Sequence, residues 1–201
     1  TTLYQRIDNT SNVITVNGTS QSSSGEFSFD GSTNNWVLSN FDTGFYLISG
    51  DYSLKVNKES QQNPNYNQIW PVDFSSNPSE VYYSGYIDHG TNPSNKTYEY
   101  ILLPGSNVSE MQTLNSSIQG GNKPYTVHQQ DSNAHIVEHI SKNIWAYSIF
   151  NSISGLTYNH VTAVNSSSLV MTEFDSVNQT LLLSLVNPDI GFNSRSYAPS
   201  V

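Results

Sequence analysis

Val81-Tyr82-Tyr83-Ser84-Gly85-Tyr86-Ile87-Asp88 alternates with a period of two: Val81, Tyr83, Gly85 and Ile87 share one parity, and Tyr82, Ser84, Tyr86 and Asp88 the other. Successive side chains of a β-strand point to opposite faces of its sheet, so this is a strand pattern and not a helical one. The same alternation recurs outward in both directions. It runs through Glu26-Phe27-Ser28-Phe29-Asp30 and Tyr52-Ser53-Leu54-Lys55-Val56, and through Tyr98–Leu103, which is stopped by Pro104-Gly105. Asn143–Phe150, Leu169–Phe174 and Thr180–Val186 read alike. Turn signals separate the runs: Asp30-Gly31, Ser49-Gly50-Asp51, Asn63-Pro64-Asn65, Asn92-Pro93, Gly120-Gly121 and Asn187-Pro188. Many short punctuated strands predict an all-β protein of antiparallel β-sandwiches. One short helical turn is expected around Val108–Leu114. The linker-like composition of Asn115–Pro124 divides a larger first sandwich from a smaller second one.

The bulk composition agrees. A chain of 201 residues can bury a real core. Only 11% of residues are charged, and polarity comes instead from Asn, Ser, Thr, Gln and Tyr. Ser, Thr and Asn compete with the helical backbone for hydrogen bonds and suit sheet surfaces and turns. No run approaches the roughly 18 apolar residues of a membrane span, and the longest, near Leu181–Val186, is of strand length. The net charge of −9 with scattered basic residues excludes nucleic acid and anionic membranes as expected partners. It also argues against this chain gripping a polyanionic sugar on its own. There is no cysteine, hence no disulfide framework and no thiolate metal site. Thr1-Thr2-Leu3-Tyr4 shows neither a basic n-region nor an apolar h-region, so the chain is expected to be an internal segment of a longer protein. Asn-x-Ser/Thr sequons occur at Asn9, Asn17, Asn95, Asn107, Asn115, Asn165 and Asn178. A composition this rich in Asn, Ser and Thr produces such triplets by chance.

The sharpest local motif is His135-Ile136-Val137-Glu138-His139, which matches the H-x-x-E-H pattern of inverted zinc peptidases. On a helix, residues four apart lie about 5–6 Å apart at Cβ and can share a metal. On a strand the same spacing is roughly 13 Å, too far to chelate one zinc. The segment lacks a helical apolar stripe, so a strand is expected, with no metal site and no cofactor. The aromatic residues are the second candidate: thirteen Tyr, eight Phe and three Trp, at Trp36, Trp70 and Trp145. Exposed aromatic faces can stack on sugar rings, but Tyr is also a good strand residue, and Trp145 is expected in the core. No G-x-S-x-G elbow occurs, since Ser84-Gly85 follows Tyr83, and no glycine loop precedes a helix. Asp73, Asp88, Glu99 and Glu138 cannot be paired from sequence. No catalytic residue is therefore assigned.

Tyr86-Ile87-Asp88-His89-Gly90-Thr91-Asn92-Pro93-Ser94-Asn95-Lys96-Thr97-Tyr98-Glu99-Tyr100-Ile101-Leu102-Leu103-Pro104-Gly105 resembles a signature of polysaccharide lyase family 8, the hyaluronate, chondroitin and xanthan lyases. In that family a strand ends in a His-Gly-x-x-Pro turn, and a Tyr-x-Tyr strand follows, ending at Leu-Pro. Thr1–Arg6, Asn35–Val37 with Thr43–Tyr46, His135–Phe150 and Leu169–Pro188 resemble family segments in the same order. Leu47-Ile48-Ser49 and Gln61–Trp70 depart from it. The resemblance implies the end of a large central β-sandwich over residues 1–117 and a small C-terminal β-sandwich over 118–201. It also implies a secreted enzyme that cleaves uronic-acid-containing polysaccharides by β-elimination. Its catalytic residues would lie on an N-terminal α/α-toroid that this chain lacks, so the chain alone is expected to be inactive. His89 and Tyr98 belong to the motif, with His89 expected in a structural hydrogen bond. The alternatives are a free-standing carbohydrate-binding module, carried on Trp36 or Trp70, and an adhesive surface domain.

Overall fold

The structure, a computed structural model, describes residues 2–7, 13–62 and 79–187. Thr1, the sequon Asn9, the turn Asn63-Pro64-Asn65, Trp70, Asp73 and Pro188 lie outside the described residues. The chain divides into two compact units, Thr1–Gly120 and Gly121–Val201.

The first unit carries β1 (Thr2–Ile7), β2 (Ile14–Val16), β3 (Thr19–Gln21), β4 (Gly25–Asp30), β5 (Asn35–Leu38), β6 (Thr43–Leu47), β7 (Ser53–Gln62), β8 (Ser79–Asp88) and β9 (Tyr100–Pro104), followed by α1 (Val108–Gln119). Two antiparallel sheets form, in the orders β1-β8-β7-β4 and β3-β2-β5-β6-β9. Their facing residues make one core: Tyr4, Leu54, Val56, Tyr83 and Ile87 from the first sheet, with Ile14, Val16, Val37, Phe45 and Leu47 from the second. The parity read from Val81–Asp88 holds, since Tyr83, Gly85 and Ile87 are buried and Tyr82, Ser84 and Tyr86 are half-buried. Gly85 is paired with Tyr4 across the strands. A Cβ at Gly85 would collide with the Tyr4 ring, which explains a glycine in mid-strand. Tyr4 in turn stacks on Phe45, with centroids 5.3 Å apart.

The outer face of the second sheet is covered by α1. Met111 is fully buried there against Trp36, Leu38 and Tyr46, with Leu114 and Ile118 beside it. The helix exceeds the single turn expected from sequence and takes in Asn115–Gln119, part of the linker-like stretch. Two things extend it. Asn107 Oδ1 accepts from the Glu110 amide and Glu110 Oε2 from the Asn107 amide, a complete capping box. Met111, Leu114 and Ile118 then form a helical stripe whose burial outweighs the poor propensity of the intervening Ser, Thr and Asn.

The second unit is built on one antiparallel sheet. Its strands are β10 (Tyr125–Gln130), β11 (Ala134–His139), β12 (Ile144–Ile149), β15 (Ser168–Asp175) and β16 (Thr180–Val186), in the order β10-β11-β12-β15-β16. The short pair β13 (Ile153–Ser154) and β14 (Ala163–Val164) forms a second, small layer. Ala134, Ile136, Trp145, Tyr147, Ile149 and Val170 pack with Leu156 and the partly buried Ile153, Tyr158, Val161 and Val164. The Tyr147 hydroxyl donates to the Tyr158 carbonyl at 2.9 Å and pins this cover to the sheet. Among the described residues no helix is long and apolar enough to cross a membrane.

Candidate functional site

The segment that joins β8 to β9 is an exposed turn held by its own contacts. Asp88 Oδ1 accepts from the Gly90 amide at 2.8 Å and tightens the turn at the strand end. Gly90 (φ 77°) and Asn92 (φ 53°) then take the left-handed conformation that these residue types tolerate best. The Lys96 ammonium is paired with the Asp51 carboxylate. His89 Nδ1 faces the Asp51 carbonyl at 3.3 Å, and because a carbonyl can only accept, the proton sits on Nδ1. His89 thus ties the segment back to the turn before β7.

Three rings follow one another along this edge. His89 and Tyr98 have centroids 5.9 Å apart, and Tyr98 and Tyr100 lie 6.2 Å apart with planes only 20° from parallel. Tyr98 is 39% exposed and Tyr100 43%. Tyr100 stands on β9, an edge strand of its sheet among the described residues.

Of the two tryptophans considered as sugar platforms, Trp36 and Trp70, the second lies outside the described residues. Trp36 is 3% exposed, sealed between its sheet and α1, so the expectation of a platform there is corrected. Trp145 is buried in the core of the second unit.

His135, Glu138 and His139 lie on strand β11, the two histidines on one face. The His135 ring meets Phe150 edge-on at 5.0 Å. Glu138 points to the opposite face and pairs with His128, Oε2 to Nε2, at 2.8 Å. Among the described residues no group of three His, Cys, Asp or Glu side chains could hold a metal ion. His128 is a residue that sequence reasoning misses. It sits at a bulge in β10, where the register slips between Val127 and Gln129. The bulge turns its ring onto Trp145 at 4.5 Å and towards Tyr158 at 5.5 Å. Of the other carboxylates, Asp88 caps the Gly90 turn. Glu26 is held below the usual carboxylate range, first by the Tyr86 hydroxyl and then by the Lys55 ammonium.

A cavity of about 1080 Å³ opens on the covered face of the second unit. It lies between Val170, Leu181, Leu183 and Leu185 of the sheet and the β13–β14 segment. Its lining carries His160 and otherwise small polar and aliphatic side chains.

Residues 1–115 match the family model described as polysaccharide lyase family 8, super-sandwich domain. The chain belongs to polysaccharide lyase family 8. Among its relatives is the chondroitin sulfate ABC endolyase of Proteus vulgaris, 25% identical over 167 residues, which are 83% of this chain and 15% of that protein. Another is the chondroitin sulfate ABC exolyase of Bacteroides thetaiotaomicron, 36% identical over 106 residues, 52% of this chain and 10% of the relative. The fold is that of a Paenibacillus xanthan lyase (TM-score 0.63, 20% identity, 88% of this chain and 17% of that one). It is likewise that of a chondroitinase AC lyase solved with oligosaccharides (TM-score 0.61, 19% identity, 93% and 30%). The chain therefore spans a small part of the length of the proteins it matches.

Proposed function

We propose that this chain is the non-catalytic β-sheet portion of a secreted polysaccharide lyase, which cleaves a uronic-acid-containing polysaccharide such as chondroitin, hyaluronate or xanthan by β-elimination. The observation that carries the reading is the match of residues 1–115 to the super-sandwich domain of family 8, in relatives of which this chain covers only 15% and 10%. In this reading the first unit is the end of the central sandwich and the second is the small C-terminal sandwich. Both buttress a helical catalytic domain that lies elsewhere in a longer polypeptide.

The chemistry supports the division of labour. Removing a proton next to a carboxylate needs a base within hydrogen-bond reach and a second group that neutralises the developing charge. His128 is already engaged by Glu138 and stacked on Trp145, and His89 is turned onto a backbone carbonyl. Neither faces a partner suited to bind a carboxylate. The test is to read the frame upstream of Thr1 and assay its product. A helical domain whose expressed polypeptide releases unsaturated uronides from one of these polymers is expected. A frame without such a domain, or a longer product with no lyase activity on any of the three, overturns the proposal.

A further inference from the structure

We infer that the aromatic row His89–Tyr98–Tyr100 is a contact site for the pyranose rings of the polysaccharide, a stacking subsite on the β portion itself. The inference rests on the lyase reading for the class of ligand and on the geometry for the place.

Among the described residues two exposed apolar surfaces stand out, and they differ in kind. Strand β16 is aliphatic on both faces, with Leu182, Leu183 and Leu185 each more than 60% exposed. Its polar groups are the short side chains of Thr180 and Ser184, it offers no aromatic ring for a sugar to stack on, and nothing in the structure shows what covers its outer leucines. The β9 edge is aromatic and hydroxylated. Tyrosine combines a flat apolar body with a polar tip and loses little conformational entropy on binding, which suits a wet, ring-shaped ligand. A pyranose has a CH-rich face that packs on such a ring and equatorial hydroxyls that look for donors and acceptors at its rim. Both are present: near-parallel Tyr98 and Tyr100 rings supply the face, and the exposed Asn92, Asn95 and Lys96 lie on the adjoining turn. The row is also held in place before any ligand arrives. His89 is tied to the Asp51 carbonyl, Lys96 to the Asp51 carboxylate and Gly90 to Asp88. Prior ordering of this kind lowers the cost of binding.

The charge balance decides which force does the binding. The chain carries −9, and the one lysine of the turn is already paired with Asp51. Attraction to a polyanion cannot dominate here, so stacking must. Binding at this site therefore changes little with salt, unlike the counterion-driven binding of a polyanion to a basic surface.

The experiment is calorimetric titration of the 201-residue chain with size-defined chondroitin sulfate and hyaluronate oligosaccharides, at low and high salt. Saturable binding is expected, similar at both salt concentrations. Tyr98→Ala and Tyr100→Ala should each weaken it about tenfold, whereas Tyr98→Phe and Tyr100→Phe, which keep the ring, should not. Both side chains are exposed, and thermal melts verify that the four variants fold. Absence of saturable binding, or binding that both alanine variants retain, overturns the inference. So does a wild-type chain that self-associates until Tyr100→Ala makes it monomeric and gives no glycan signal, since the row is then a protein seam. None of these outcomes touches the lyase reading, which is decided by uronide release from the longer polypeptide.

Discussion

Asp131 and Asp175 show what single side chains contribute to this fold. Asp131 accepts from the Asn133 and Ala134 amides at 2.8 and 3.0 Å and closes the turn between β10 and β11. Asp175 accepts from the Asn178 side chain at 2.7 Å and from the Val177 and Asn178 amides, closing the turn between β15 and β16. These bonds favour the ionised form, so both carboxyls sit below their ordinary range, Asp131 mainly through Ala134 and Asp175 mainly through Asn178. A carboxyl depressed on folding stabilises above its unfolded pKa, and that contribution is lost as pH falls through the folded value. Melting temperature should therefore drop between neutral pH and about pH 3, and the Asp131→Asn, Asp175→Asn double variant should drop less steeply. Parallel curves for the two proteins would contradict the assignment. Gly85 offers a test of packing. Gly85→Ala drives a methyl into the Tyr4 ring and should cost about 1–3 kcal/mol in denaturant unfolding. A neutral result would mean that the Tyr4 ring has room to move.

At the scale of the element, alternation is the most legible signal. The strands read at Glu26–Asp30, Thr180–Val186 and Val81–Asp88 are all present as β4, β16 and within β8. The His135-x-x-Glu138-His139 segment is a strand, as its lack of a helical stripe predicts. The helix is read too short because Ser, Thr and Asn hide a stripe spaced at Met111, Leu114 and Ile118, whose worth depends on the sheet beneath it. Its supports can be separated. Asn107→Ala removes the cap and should cost about 1 kcal/mol. Met111→Ala leaves a void against Trp36 and Tyr46 and should cost about 2–5 kcal/mol. Equal losses in equilibrium unfolding would show that capping and packing do not differ in weight here. The aromatic row is half legible. Its residues stand in the quoted motif, but their exposure follows from β9 being an edge strand, which no local pattern reveals.

At the scale of the molecule, composition and strand spacing predict the all-β class, and the ordered His-Gly…Tyr-x-Tyr…Leu-Pro run predicts the family. Strand order is not legible. Alternation says which residues share a face and nothing about neighbours, so the placement of β8 between β1 and β7 comes only from the structure. The bulge that turns His128 onto Trp145 is hidden for the same reason. The reading of the whole molecule rests on the match of residues 1–115 to the super-sandwich domain, in relatives far longer than this chain. The central claim is that this portion does not perform the elimination. It is tested most directly by incubating the purified 201-residue chain with chondroitin sulfate, hyaluronate and xanthan and following the ultraviolet absorbance of unsaturated uronides. The account predicts a flat trace with all three polymers, and a trace that rises in proportion to the amount of chain added would contradict it.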